Sequence, residues 1–377
     1  MKNLILNEIN KSKDHFITYE QFMEKVLYDP DKGYYQKDLE KIGRKGDFYT
    51  SSSIGSIYGE VIAATFCRFV KQKLIDPLFV EIGGGNGQFA SSFLAYCEKN
   101  ETAIFKDLIY HIIDESKYHQ SLQKEKLKNF SNVQFFRNLI KIEKINNGMI
   151  FSNELFDALP VRVVEFNDES QWQEVIITID EQNNLKERLI DILDDDIHKF
   201  LIQNKFQGKN GQRVEIPVSM GKVFDLLQSK LDQGIILTVD YGFTREEWDA
   251  PHRIKGSLRG YYKHEMKSNI LENLGDMDLT THIHWDELKR LGMESKLENL
   301  YFSNQRNALL DFGVLNWLIP HAQSNPFSIE YKQNRAVQSL IMPGGISDSF
   351  QMLLQTKGMT EEQQIKIKEL ISLNEFK

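Results

Sequence analysis

Leu78-Phe79-Val80-Glu81-Ile82-Gly83-Gly84-Gly85-Asn86-Gly87 is the stretch on which the fold turns. Its first five residues form a short apolar run, and the glycines then stop it. A run this short, bounded by a turn signal, reads as a buried strand. The next segment, from Gln88 to about Lys99, has helical character. Glycines between a strand and a helix permit a tight turn and let a ligand approach the backbone.

Downstream, the same unit repeats. Leu108 to Ile113 is a second apolar run, ending at Asp114, and Val133 to Phe136 is a third. Gly148 to Ser152 is the fourth, and Gly234 to Asp240 the fifth. Short buried strands separated by helices imply a parallel sheet with βαβ crossovers. The pattern changes after Pro160. There VRVVEF, WQEVIITI and LKERLI are separated by the polar clusters NDES and DEQNN, which reads as an inserted antiparallel meander. Two late segments, LENLYF and SFQMLLQ, could complete the sheet as an antiparallel edge. Upstream, Thr18-Tyr19-Glu20-Gln21 fits a capping box, with Phe22, Met23, Val26 and Leu27 on one face of the helix and Asp29-Pro30 ending it. A second helix is expected from about Ile57 to Lys73.

The chain has 377 residues, more than one typical domain of roughly 100–200 residues. It is 41% hydrophobic and 27% charged, which suits a globular protein. Its net charge of −8 argues against a protein built chiefly to grip nucleic acid. No stretch approaches the ~20 apolar residues of a membrane span, and the N-terminal apolar patch is too short for a secretory signal. The expectation is a cytoplasmic protein without membrane insertion. Cys67 and Cys97, without Cys-x-x-Cys spacing, read as reduced buried thiols.

In open α/β sheets, ligands sit beyond the carboxyl ends of strands. Gly85-x-Gly87-x-x-Ala90 fits a relaxed dinucleotide fingerprint, so the glycines leave two ligand classes open. The first is a dinucleotide pyrophosphate and the second is S-adenosylmethionine (SAM). Glu81 would repel a pyrophosphate and suits a cation such as SAM. Asp114, or its neighbour Glu115, is placed to accept ribose hydroxyls, unless it is simply a solvated strand-end acid. Asn153 and Glu154 follow the fourth strand, and Asp157 is expected one helical turn on, either at the reacting centre or as an exposed helix-start acid. Asp240 closes the fifth strand as another acid at the site's edge. His282 and His284, two apart, would share a face of a strand, but no third ligand is near, so no metal is expected.

The segments MEKVLYDPDKGYY, GRKGDFYTSSSIGSIYGEVIA, VEIGGGNGQFA, SNELFDALPVRVVEF, TVDYGF, SLRGYYKHE and GDMDLTTHIHWDEL occur in order from about Thr18 to beyond Asp286. In these the chain resembles the MidA-type, class I SAM-dependent methyltransferases, a family similar to a mitochondrial arginine methyltransferase that assists assembly of respiratory complex I. The glycine loop departs from the family pattern at Gly84 and Asn86, Asp114 stands where glutamate is common, and the stretch between Val161 and Gly234 matches poorly.

The resemblance implies an α/β fold with a Rossmann-like class I sheet, a helical N-terminal extension and an antiparallel β-containing insertion. The divisions expected are 1–75 (helical region and cofactor lid), 76–160 (first part of the SAM-binding core), 161–233 (inserted substrate-recognition region) and 234–377 (rest of the core and C-terminal elements). It implies SAM as cofactor, held at Glu81, Gly83, Gly85, Gly87 and Asp114. Asp47, Thr50 and Ser51 would belong to a lid over it. The implied reaction is N-methylation of an arginine side chain in a protein partner, with a respiratory-complex subunit as one candidate. Glu154, Asp157 and Asn153 are the candidate catalytic residues. A SAM-binding assembly factor without turnover and a dinucleotide-dependent oxidoreductase are the competing readings.

Overall fold

The structure is a computed structural model that describes residues 1–37, 56–263, 265–320 and 328–372. The chain opens with helix α1 (Lys2–Lys11), the two-residue strand β1 (Ile17–Thr18) and helix α2 (Tyr19–Tyr28). The Thr18–Gln21 capping box forms as the sequence predicts, and Phe22, Met23, Val26 and Leu27 are buried. Helix α3 (Ile57–Lys71) then leads to β2 (Leu78–Ile82) and α4 (Gln88–Asn100). The strands β3 (Ile109–Ile113), β4 (Val133–Phe136) and β5 (Ile145–Asn153) follow.

β2, β3, β4 and β5 are joined by β10 (Leu231–Phe243), β15 (Leu297–Asn304) and β16 (Phe350–Lys357) in the order β15-β16-β10-β5-β2-β3-β4. All pairings from β10 to β4 are parallel. β16 runs antiparallel to both β10 and β15. The expected antiparallel edge is thus half right. β16 is the reversed strand, but it lies inside the sheet, and β15 on the rim runs with the parallel set.

Alternation along each strand divides the core. Phe79, Met149, Phe151, Leu237 and Val239 face one apolar layer that includes α3 and α4. Val80, Ile82, Ile150 and Ile236 face the other, against Phe224 and Trp285. Burying both faces is why these strands read as continuous apolar runs. Cys67 on α3 and Cys97 on α4 meet inside the first layer, Sγ to Sγ at 3.7 Å, as free thiols.

The meander forms a second sheet. β6 (Arg162–Phe166), β7 (Trp172–Ile179) and β8 (Leu185–Asp191) pair antiparallel, with β9 (Arg213–Ile216) on β6 and β1 on β7. Val163, Val175 and Ile177 face α1 and α2, while Val164, Val214 and Ile216 face Trp248 and Phe200. A third, small sheet has β11 (Arg259–Tyr262) between β12 (Glu265–Lys267) and β13 (Asp278–Thr280). β14 (Ile283–His284) pairs in parallel with the end of β10. Among the described residues no helix is long and apolar enough to cross a membrane.

Candidate active site and cofactor cleft

The carboxyl ends of β2, β3, β5 and β10 border a cavity of about 890 Å³. Its first wall is the glycine turn. Gly83, Gly85 and Gly87 have φ of 74°, 50° and 75°, a left-handed region that side chains other than glycine's rarely adopt. The Gly83 N–H donates to the Ile113 carbonyl at 2.8 Å, and the Gly87 N–H to the Gly84 carbonyl at 2.9 Å. A Cβ at Gly84 would lie 2.4 Å from Ile112 Cδ1, inside the core. A Cβ at Gly83 would meet nothing closer than Leu155 Cδ1 at 3.7 Å among the described residues. Gly83 therefore faces the cleft, and Gly84 faces the protein.

Glu81 lines this wall, as its place at the end of β2 predicts. Tyr110 donates to its Oε2 at 2.7 Å. Burial pushes the Glu81 carboxyl up to about 8, opposed by that hydrogen bond. At neutral pH it is mostly protonated, and a bound cation would draw it back toward the carboxylate. The charge expected from the sequence thus waits on the ligand.

Asp114 also lines the cavity but is tied to the turn. Its Oδ2 accepts from the Gly85 N–H and from Gln123 Nε2, both at 3.1 Å, and its Oδ1 accepts from the Ser116 N–H at 2.9 Å. His119 Nδ1 is 3.5 Å away. A carboxylate offers about four acceptor sites, so roughly one remains for a ribose hydroxyl rather than the two the sequence reading allowed. Glu115 is exposed on the same cavity.

The second wall carries the acids after β5. Asn153 Oδ1 accepts from the Tyr58 hydroxyl at 2.9 Å, and Asn153 Nδ2 donates to Glu154 Oε1 at 2.8 Å. Glu154 has φ of 55°, uncommon for a residue other than glycine, and its N–H is held by the Val239 carbonyl at 2.9 Å. Burial, then the nearby Asp157, pushes the Glu154 carboxyl up to about 8, while Asn153 opposes the shift.

Asp157 is in a turn rather than on a helix, and it is 6% exposed rather than solvated. The expected helix does not form because the chain runs through Pro160 directly into β6 of the second sheet. Asp157 Oδ2 accepts from the Tyr241 hydroxyl and from Thr280 Oγ1, the latter at 2.9 Å. Its Oδ1 is buried with no hydrogen-bond partner among the described residues. Burial raises its pKa, with the Tyr241 and Thr280 hydrogen bonds working against that shift.

Asp240 is not on the cavity wall. It is fully buried, and its carboxylate takes the N–H groups of Phe156 at 2.9 Å, Asp157 at 3.3 Å and Tyr241 at 2.9 Å. It shapes the turn that presents Asp157. Side chains alternate along a strand, and Tyr241, one residue on, is the one that lines the cavity. His282 and His284 separate as well. His282 lines the cavity and stacks on Phe243, whereas His284 stacks on Trp248 with Nε2 2.8 Å from the Glu215 carbonyl. Asp47, Thr50 and Ser51 lie outside the described residues, as does the whole segment expected to form the lid.

Among the cavity residues to which the sequence reading gave no role are Tyr241, Arg259 and Asp278. Arg259 and Asp278 sit in SLRGYYKHE and GDMDLT, segments quoted for the resemblance but given no role.

Residues 61–303 match the family described as "Putative S-adenosyl-L-methionine-dependent methyltransferase". The chain is 25% identical over 376 residues to the zebrafish (Danio rerio) "Protein arginine methyltransferase NDUFAF7, mitochondrial", covering 93% of this chain and 86% of that one. It is 26% identical to the protein of the same name from mouse (Mus musculus), covering 79% and 71%. Those relatives are named mitochondrial, which overturns the expectation of a cytoplasmic protein; the absence of a span or secretory signal could not discriminate between compartments. Among solved structures, a COG1565 superfamily member from Burkholderia thailandensis bound to S-adenosyl-homocysteine superposes with a TM-score of 0.84. It is 23% identical and covers 95% of this chain and 92% of that one, and so shows a shared fold. The family match spans well over half of the chain and both walls of the cleft: this protein belongs to that family of SAM-dependent methyltransferases.

Proposed function

We propose that this enzyme N-methylates an arginine side chain of a protein partner. The observation that carries the reading is that Glu154 and Asp157 share one cavity with the glycine turn. A guanidinium stays protonated, with a pKa above ~12. Carboxylates can hold its fork and localise charge on the nitrogen far from the methyl donor. The names of the curated relatives support the same acceptor. A respiratory-complex subunit is the partner that the family resemblance favours.

The cleft fits SAM: Gly83 is open to it, and Glu81 supplies an acid beside the turn. When bound, SAM supplies an electrophilic methyl group on a sulfonium. The residues proposed to hold it are Glu81, Gly83, Gly85, Gly87 and Asp114, with Asp47, Thr50 and Ser51 from the segment ahead of α3. The acceptor side is proposed for Asn153, Glu154 and Asp157. Asn153 orients Glu154 through the 2.8 Å contact, and Tyr241 and Thr280 fix Asp157 Oδ2 so that Oδ1 is left for a donor. Methyl transfer is in-line, so alignment supplies much of the rate. The acceptor's proton then passes to a carboxylate whose conjugate acid has a pKa near neutrality. The ionised form of Glu154 meets that description, becoming the carboxylic acid as it does so.

The test is incubation with methyl-labelled SAM and extract, followed by identification of the labelled residue. Label on arginine supports the reading, while label on lysine or on a small molecule refutes it. S-adenosyl-homocysteine should raise the thermal midpoint, and NAD or NADP should not.

A further inference from the structure

Arg259 opens β11 and lines the same cavity as Glu154 and Asp157. It is half-buried. Its guanidinium lies 5.7 Å from the Tyr241 ring centre and 5.8 Å from that of Tyr261. Its Nη2 is 3.5 Å from His282 Nε2, and its Nε is buried with no hydrogen-bond partner among the described residues. Among those residues it forms no ion pair. Three other half-buried arginines hold carboxylates: Arg162 holds Glu174 at 2.5 Å, Arg213 holds Glu165 at 2.6 Å, and Arg290 holds Glu287 at 2.6 Å.

The surroundings keep this cation distinct. Burial, then Arg259 and Arg253, push His282 down to about 3, so the imidazole is neutral and adds no second charge. Asp157 feels the Arg259 field but has its Oδ2 engaged by Tyr241 and Thr280. Tyr241 joins the two positions, since its hydroxyl holds Asp157 and its ring carries Arg259. A half-buried cation with no carboxylate in contact has lost part of its hydration, which an anionic ligand group would replace.

We propose that Arg259 is the anion-binding position of the acceptor subsite. It takes a carboxylate of the acceptor that lies close in sequence to the arginine received by Glu154 and Asp157. This rests on the arginine reading above. In an extended segment, residues two apart are separated by roughly 7 Å, so one short acidic-flanked peptide can reach both positions. The carboxylate of the cofactor is the other chemical source. Tyr241 lies near the carboxyl end of β10, which is two strands from β2 and its glycine turn. At about 4.8 Å per strand that is roughly 10 Å, which favours the acceptor.

The test is titration calorimetry on the full chain loaded with S-adenosyl-homocysteine. The probes are the acetylated, amidated peptides Glu-Gly-Arg-Gly-Glu and Gln-Gly-Arg-Gly-Gln, which place the acid, or its neutral counterpart, two residues from the arginine. The acidic peptide should bind ~10-fold tighter or more, as expected for one charge-assisted contact. Arg259→Gln should abolish the difference, and Arg259→Lys should retain part of it. The lysine variant keeps the test valid if the glutamine variant does not fold, which its thermal midpoint will report. Equal affinities in the wild type, including no binding of either peptide at millimolar concentration, overturn the proposal. So does a preference that survives Arg259→Gln. A tenfold loss of S-adenosyl-homocysteine affinity in Arg259→Gln also overturns it, by assigning the position to the cofactor. A third peptide with lysine in place of arginine separates the two readings. If it binds as well as the arginine peptide, the arginine reading fails while the role of Arg259 stands.

Discussion

Replacing Glu154 with glutamine removes a charge from the acceptor wall and little else. The new side chain is nearly isosteric, and its carbonyl can still accept from Asn153 Nδ2, now 2.8 Å from Glu154 Oε1. The size of the effect follows from the environment. Burial and Asp157 hold the Glu154 carboxyl at about 8, so at pH 7 only about one molecule in ten carries the anion. Wild-type kcat/KM should therefore climb about tenfold per pH unit below 8 and level off above it, because this quantity reports the ionisation of the free enzyme. In Glu154→Gln that limb should flatten. Turnover should fall ~10²–10³-fold, the usual loss for one preorganised electrostatic contact to the reacting centre.

Stability should move the other way. The folded pKa lies above the unfolded value, so ionising Glu154 costs stability as pH rises from about 4.5 to about 8. Relative to wild type, Glu154→Gln should thus gain thermal midpoint across that window. The assays are labelled methyl transfer from pH 6 to 9.5, calorimetry with S-adenosyl-homocysteine and thermal unfolding, all on one preparation. Full turnover in the variant refutes the assignment. Activity lost in step with cofactor affinity or with folding would make Glu154 a structural or cofactor residue instead.

Asp240→Ala should lower the urea unfolding free energy by ~3 kcal/mol or more, because it strips acceptors from three backbone N–H groups; an unchanged midpoint would show that the turn does not depend on it. Gly83→Ala should fold with a cost of only ~1–2 kcal/mol from its left-handed backbone, yet weaken S-adenosyl-homocysteine binding at least ~10-fold, since its methyl group enters the cleft. Gly84→Ala should instead lose stability, by ~1–3 kcal/mol, against Ile112, and calorimetry with unfolding curves distinguishes the two. Tyr241→Phe removes a hydrogen bond that lowers the Asp157 pKa, so any limb of the activity profile due to Asp157 should shift to higher pH; a profile that stays in place would mean that Asp157 is not read in the kinetics.

The parallel core was legible because each strand is buried on both faces and so must be apolar along its length, from Leu78–Ile82 to Ile235–Val239. The glycine turn was legible because three φ values near +50° to +75° fall within five residues, and glycine adopts that region without the steric cost other residues meet. The capping box at Thr18 is local chemistry, and it formed as written. Three matters rest on contacts between segments far apart in the chain, and these the tertiary structure decided. Asp240 and Tyr241 are neighbours in sequence, but strand alternation puts only Tyr241 on the cleft, and the register with β5 and β16 sets which one. Asp157 was expected on a helix, yet it is buried in a turn because Asp240, 83 residues away, holds its N–H, and Thr280, 123 away, holds its carboxylate. Arg259 and Asp278 sit on adjacent strands of a small sheet, opposite Thr280 and Tyr261 respectively, and that sheet brings both to the cavity; no periodicity in the sequence encodes that meeting. Local rules fix which segments become strands, turns and helices, while the pKa values and partners of the acids depend on what folding packs around them.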